Sequence, residues 1–199
     1  MPEPKIFFTA DTHFFHRGII EHAERNFRDV DEMNWTMAAA INRVVGENDI
    51  LYHVGDFAWN RGDFLGALEM LNVKQVHLMK GNHDEKGAVR RALESGRLKS
   101  AQDLLYLRAR GHKFLLSHYA FQTWRRGWFQ LHGHSHGGLA GKPMRLDVGV
   151  DTKSRNGFSL TPLPVRPFGQ PWQLEEIVAL LSPELPAERT VLDGESSDD

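Results

Sequence analysis

The chain has 199 residues, 41% hydrophobic and 25% charged, with a formal net charge of −2 at pH 7. This is ordinary globular composition, which excludes wholesale disorder, a collagen-like fibre and a coiled coil. The absence of cysteine excludes a disulfide framework, a thiolate zinc site and a cysteine nucleophile, whereas the 11 histidines are unusual.

Lys5 to Ala10 is a short apolar run that reads as a buried strand, and it stops at Asp11-Thr12-His13. Met33, Met37, Ala40, Ile41 and Val44 recur at helical spacing, which predicts a helix from Asp31 to Val45 capped by Asp29 or Asp31. Gly46 to Asp49 is a turn, and Ile50 to Val54 a second strand ending at Gly55-Asp56. Asp63 to Leu71 reads as a helix, and Val73 to Met79 as a third strand ending at Gly81-Asn82-His83-Asp84. This alternation predicts an α/β domain with parallel strands, and its polar clusters fall at the strand C-terminal ends, where ligands bind.

The second half reads differently. Leu104–Ala109 and His112–Ser117 predict a hairpin across Arg110-Gly111. Short strands follow around Phe129–Leu131 and Met144–Val148, and a helix from Pro171 to Leu181 with proline in its first turn. This half is expected to form a more antiparallel sheet. One domain over residues 1–185 and a frayed acidic tail over 186–199 complete the expectation.

Asp11, His13, Asp56, Asn82, His83, His118, His134 and His136 all follow apolar runs or sit in glycine-bearing turns. Oxygen and imidazole donors without thiolates suit manganese, iron, nickel or zinc. One tetrahedral ion needs only three or four such groups, so this set is enough for two ions. Asp56 is able to bridge them through its two oxygens. Asp11 and His13 are two apart, as are His134 and His136, a spacing that in extended chain turns both side chains to one face. Two ions roughly 3.5–4 Å apart clamp an in-line displacement at phosphorus and lower the pKa of bound water towards ~7. An unperturbed histidine, with a pKa near ~6.5, donates a proton near neutrality.

The blocks Asp11-Thr12-His13, Gly55-Asp56, Gly81-Asn82-His83-Asp84, Ser117-His118-Tyr119 and Gly133-His134-Ser135-His136 together resemble the calcineurin-like metallophosphoesterases. The runs Asp11 to His16, Tyr52 to Phe57 and Leu131 to His134 are most similar to the small bacterial and phage-type members, and the likeness spans roughly Lys5 to Asp151. The resemblance implies a four-layer α/β/β/α sandwich. It implies a first metal held by Asp11, His13 and His136, a second by Asn82, His118 and His134, and Asp56 between them. His83 would contact the phosphate or protonate the leaving oxygen, with Asp84 orienting it.

The function so implied is a dimetal hydrolase of phosphomonoesters or phosphodiesters, with two divalent ions, manganese first. The partner is a small phosphate ester such as a nucleotide, and the oligomeric state is open. A nuclease is the alternative, disfavoured by the near-neutral charge. A non-catalytic scaffold is less favoured still, since the resemblance supplies all seven ligands and His83. The cluster Trp124, Arg125, Arg126 and Trp128 reads as a packed aromatic pair with exposed arginines, or as a base-stacking platform. His16 and Arg17 read equally as phosphate contacts or as a solvated loop. His53 and His77 read as core or sheet residues, His22 and His112 as surface, and His132 as a candidate neighbour of the ligands. No apolar run approaches the ~20 residues of a membrane span, and the first residues lack a signal-peptide pattern, so a cytoplasmic protein is expected.

Overall fold

The computed structural model describes residues 3–59, 63–151 and 166–182. Two sheets lie face to face. The first has order β4-β3-β2-β1-β9, formed by β1 (Ile6–Thr9), β2 (Ile50–His53), β3 (Gln75–Met79), β4 (Leu98–Gln102) and β9 (Trp172–Gln173). The second has order β5-β6-β7-β8, from β5 (Leu104–Ala109), β6 (His112–Ser117), β7 (Phe129–His132) and β8 (Arg145–Asp147).

Strand alternation explains the layering. Phe7 and Leu51 face an apolar cluster shared with the helices α2 (Val30–Val44), α3 (Asp63–Glu69) and α4 (Lys86–Glu94). Their neighbours Phe8 and Tyr52 point the other way, into a cluster with Phe114, Leu116, Phe129, Leu131 and Leu146 of the second sheet. The first sheet is thus buried on both faces, as parallel sheets are. Helix α5 (Leu174–Leu181) adds Leu174, Ile177 and Leu181 to the inter-sheet cluster. Two sheets flanked by helices is the expected mixed α/β architecture.

Helix α2 buries Met33, Met37 and Ile41 on one stripe, and the Asp29 carboxylate caps it by accepting the Glu32 N–H at 2.8 Å. Three elements had no expectation. Helix α1 (Gly18–His22) is too short to show a period. Helix α4 buries only the small residues Ala88, Val89 and Ala92, a weak hydrophobic signal. The edge strand β4, Leu-Lys-Ser-Ala-Gln, is largely polar.

Two expectations are corrected. Trp172 and Gln173 form β9, antiparallel to β1 through the pairs Phe8–Trp172 and Phe7–Gln173. The helix therefore begins only at Leu174, with Gln173 in extended conformation at its N-cap. Trp172 is buried between the sheets, and that burial outweighs the helix signal of Pro171. In the second sheet only the β5–β6 hairpin is antiparallel, while β6–β7 and β7–β8 are parallel. Parallel pairing sends the C-terminal ends of β6, β7 and β8 to one edge, and His118, the His134–His136 loop and Asp151 all follow those ends. An isolated parallel bridge, Ala10 to Gly149, joins that edge to the end of β1. The tail 186–199 lies outside the described residues.

Among the described residues no helix is long and apolar enough to cross a membrane.

Candidate metal centre

At the meeting edges of the sheets, seven side chains converge. Asp11, His13 and His136 form one group, and Asp56, His118 and His134 another. Within each group one donor atom per residue lies within 4.8 Å of the others. Asn82 joins the second group through Oδ1, 3.3 Å from His118 Nε2. Asp56 stands between them. Its Oδ2 is 3.5 Å from His13 Nε2 and 3.3 Å from His118 Nε2. Its Oδ1 accepts the His83 N–H at 2.9 Å. A single oxygen therefore faces both groups, rather than one oxygen facing each.

The backbone is strained where the site is built. Asp11, His13, Asp56, His134 and His136 all have φ between 45° and 68°. Non-glycine residues there cost of order 1–3 kcal/mol each and persist only where surroundings over-determine them, typically at functional sites. Two glycines admit the ligands. A Cβ on Gly81 would stand 2.1 Å from Asp56 Oδ1, and one on Gly55 2.3 Å from His118 Nδ1.

The imidazoles are oriented by their outer nitrogens. His118 Nδ1 lies 2.9 Å from the Val54 carbonyl, which only accepts, so Nδ1–H donates and Nε2 keeps its lone pair for the centre. His136 Nδ1 is 2.6 Å from Asp151 Oδ2, and donation to that carboxylate likewise frees Nε2. His13 Nδ1 is 3.1 Å from His16 Nδ1, while its Nε2 is buried without a hydrogen-bond partner. His16 stacks flat on Trp59, centroids 3.9 Å apart. Outer partners of this kind are characteristic of metal-ligating histidines.

Electrostatics point the same way. Burial, reinforced by Asp147, pushes the Asp11 carboxyl well above its ordinary range, against two bonds from the His134 N–H. Burial lowers the His13 imidazole to about 2 and His16 to about 4. For Asp56, burial is outweighed by His118 and the His83 N–H, which hold it below the carboxylate range. For His118, burial is outweighed by Asp56, which raises it. Burial, then His118, lowers His134. Burial thus disfavours a bare charge on Asp11 and a proton on His13 and His134, groups that a bound cation would stabilise in their ligating forms. The donor set, oxygen and nitrogen only, with one orphaned imidazole nitrogen aimed inward, fits divalent metal ions.

The structure places the other expected residues as follows. The His83 ring is half-buried at the rim, its centroid 5.1 Å from that of His13 and 4.9 Å from that of Trp59. Asp84 is corrected: its carboxylate accepts the N–H groups of Asp56, Phe57 and Gly81 at 2.8–2.9 Å. It pins the second and third ligand loops to each other instead of orienting the His83 ring. Burial raises its pKa despite those three bonds. His16 is not a solvated loop residue, since its Nδ1 backs His13 and its ring stacks on Trp59, whereas Arg17 is exposed. His53 is core: the Thr12 hydroxyl donates to the Phe57 carbonyl and is 2.9 Å from His53 Nε2, which must then be the N–H donor. His77 stacks on Tyr52 and meets Ser100 Oγ at 2.8 Å, a sheet residue as expected. His132 bonds its own strand end, the Gly133 carbonyl, at 2.8 Å.

Sequence reasoning missed Arg25, Asp147 and Asp151. Asp147 accepts the Ser135 hydroxyl and the N–H groups of Gly137 and Gly149, which ties the His134–His136 loop to the end of β8. The only available signal was that Asp147 lies at the end of an expected strand and Asp151 just beyond it.

The calcineurin-like phosphoesterase family model matches residues 4–171. An uncharacterized protein of Methanocaldococcus jannaschii is 33% identical over 137 residues, which cover 66% of this chain and 69% of that one. A protein of unknown function from Aquifex aeolicus shares the fold, with a TM-score of 0.64 and 20% identity over 89% of this chain and all of that one. With the family model spanning most of its length and two converging ligand groups at its sheet edges, the chain belongs to the calcineurin-like phosphoesterase family.

Proposed function

We propose that the protein is a metal-dependent hydrolase of phosphomonoesters or phosphodiesters, working with two divalent cations, manganese first among them. The observation that carries this reading is the position of Asp56 Oδ2, within 3.5 Å of an imidazole nitrogen of each ligand group. Such ions, when bound, supply a nucleophile at neutral pH and neutralise charge growing on the phosphoryl oxygens. Asp11, His13 and His136 would hold one, Asn82, His118 and His134 the other, and Asp56 both.

The chain's own residues do the rest. Asp84 and the His83 N–H hold the loop of Asp56 against that of Asn82, so these two ligands keep a fixed separation. His83 presents its ring at the open rim, where it can hydrogen-bond a phosphoryl oxygen or protonate a leaving alkoxide. The exposed His134 and Asn82 leave the second group open to an incoming ester.

The Trp124–Trp128 cluster, the feature behind the nuclease alternative, has its rings engaged within the chain. Trp128 is buried, with Arg108 and Arg125 over its ring at 5.2 and 5.7 Å, and Lys142 lies 5.3 Å over Trp124. The Trp124 indole N–H donates to the Trp128 carbonyl at 2.7 Å. The cluster's rings are partnered by the chain's own cations, which supports the packed-pair reading.

The test is a panel of aryl and alkyl phosphomonoesters, bis-aryl phosphodiesters, 2′,3′-cyclic nucleotides and single-stranded nucleic acid with Mn²⁺. Turnover of small esters that stops on chelation is the expected result. No turnover of any substrate by protein carrying two ions would refute the hydrolase reading, and cleavage of nucleic acid alone would replace it with the nuclease.

A further inference from the structure

A buried arginine and a buried aspartate outside the ligand set lie behind the first group. Arg25 follows α1, whose C-terminal turn closes with the Arg25 N–H on the Ile20 carbonyl and Glu24 at φ 51°. That reversal carries the guanidinium inward, to 5% exposure. Its Nε donates to Asp151 Oδ1 at 2.9 Å and its Nη2 to Asp151 Oδ2 at 2.8 Å, a two-pronged grip. Nη2 also reaches the Asp11 carbonyl at 2.6 Å, and Nη1 the Thr12 carbonyl at 2.9 Å and Met33 Sδ at 3.4 Å. Phe168 covers the guanidinium, 5.5 Å from ring centroid to Cζ. Asp151, 3% exposed, is the same carboxylate that takes the His136 Nδ1–H.

We infer that Arg25 and Asp151 are a positioning unit for the Asp11–His13–His136 group, fixing the His136 imidazole to the loop of Asp11 and raising that group's affinity for its ion above that of the other. The inference rests on the metal reading above.

Three parts of the chain meet here: the end of β1, which carries Asp11 and His13, the loop after β7, which carries His136, and the residues after β8, which carry Asp151. Arg25 touches the first through two carbonyls and the third through Asp151, and Asp151 touches the second through His136. The planar fork of arginine suits this, since one group spans a carboxylate and two carbonyls at once, which an ammonium on a single point does not. A carboxylate behind an imidazole fixes its tautomer and raises its basicity as a ligand. The carboxylate would add negative charge to a site already rich in it, and Arg25 compensates that charge from the far side. The second group has no such unit among the described residues: His118 rests on a backbone carbonyl, and the His134 ring meets Tyr119 edge-on, centroids 4.7 Å apart.

The test is Mn²⁺ uptake by chelator-stripped full-length protein, followed by calorimetric titration with electron paramagnetic resonance to count free ion. His136→Ala identifies which class of site belongs to the first group. Asp151→Asn keeps the shape and removes the charge; it should weaken that class about 10–100-fold, the usual cost of an outer partner, and leave the other class in place. Arg25→Gln should do the same, Arg25→Lys should recover part of the loss, and the double variant should lose no more than either single one, as members of one unit do. If Arg25→Gln fails to fold, Asp151→Asn and Arg25→Lys carry the test. Equal weakening of both classes would show a general structural role and overturn the inference, as would unchanged binding in Asp151→Asn. A wild-type protein that takes up no Mn²⁺ overturns the inference and the metal reading together. Two ions bound with Asp151→Asn unaffected overturns the inference alone.

Discussion

In the Asp11–His13–His136 group the imidazoles are backed by side chains, His16 and Asp151, and two of the three ligands are almost fully buried. In the Asp56–His118–His134 group His118 rests on the Val54 carbonyl, His134 is exposed, and the added ligand Asn82 is exposed too. Asp56 and His118 are as buried as Asp11 and His13, so the groups differ at their remaining ligands: His136 is half-buried on Asp151, whereas His134 and Asn82 are exposed. Burial with satisfied outer partners holds geometry at the cost of access, and exposure does the reverse. The two halves of the centre therefore differ in access at one ligand and in what backs their imidazoles, although their donors are alike, and Asp56 stands between them.

Asp56→Asn breaks the comparison most severely, because it removes a charge shared by both groups. Uptake of both ions should fall, and turnover should drop further than in Asn82→Ala, which touches only the second group. Elemental analysis and steady-state rates check this, and near-wild-type turnover with two ions retained in Asp56→Asn would exclude the shared role. Chelation should abolish activity in the same assay, with Mn²⁺ restoring it.

His83→Ala is the next largest. It should keep both ions and lose roughly 10²–10⁴-fold in turnover, as loss of a general acid does. The loss should be greater on alkyl than on nitrophenyl esters, because an alkoxide needs a proton as its bond to phosphorus breaks. Equal losses on both would point to phosphate binding instead. Loss of metal would make His83 a ligand.

Asp84→Asn separates the two neighbours in Gly81-Asn82-His83-Asp84. It turns an amide NH₂ towards backbone N–H groups in a buried position, which should cost about 1–3 kcal/mol of stability. Thermal unfolding should register that loss, whereas His83→Ala at the half-buried rim should leave the melting temperature nearly unchanged.

The smallest effect at neutral pH concerns His53, behind the first ligand loop. Burial lowers its pKa from 6.5 to about 3. Between those values the unfolded chain holds a proton that the folded chain refuses, so stability rises with pH there. The contribution is whole above 6.5 and is lost as pH falls towards 3. In stripped protein, His53→Gln should flatten the dependence of the denaturation midpoint on pH across this window. An unaltered slope would mean that the His53 ring is protonated in the folded state.

Much of the centre was legible along the chain. Strands β1, β2 and β3 are short apolar runs cut off by glycine and polar residues, so both the strands and the ligands at their ends show locally. The same holds for His118, His134 and His136 beyond β6 and β7. The hairpin Leu104–Ala109 with His112–Ser117 lies where its alternation and Arg110-Gly111 turn put it, with both turn residues at positive φ. These signals depend only on neighbours in sequence.

Tertiary structure alone decided the rest. Arg25 reads as any exposed arginine until the chain brings it to Asp151, 126 residues away. Asp84 reads as the partner of the adjacent His83, yet burial turns it to the N–H groups of a loop 27 and 28 residues earlier, which have no other acceptor within the site. Trp172 reads as the start of a helix, but the space between the two sheets draws it into β9. The parallel pairing of β7 and β8 is likewise invisible in strands of four and three residues. For Arg25, Asp84 and Trp172 the deciding energy is the burial of a charge or an aromatic ring against partners remote in sequence, and no local pattern encodes which partners those are.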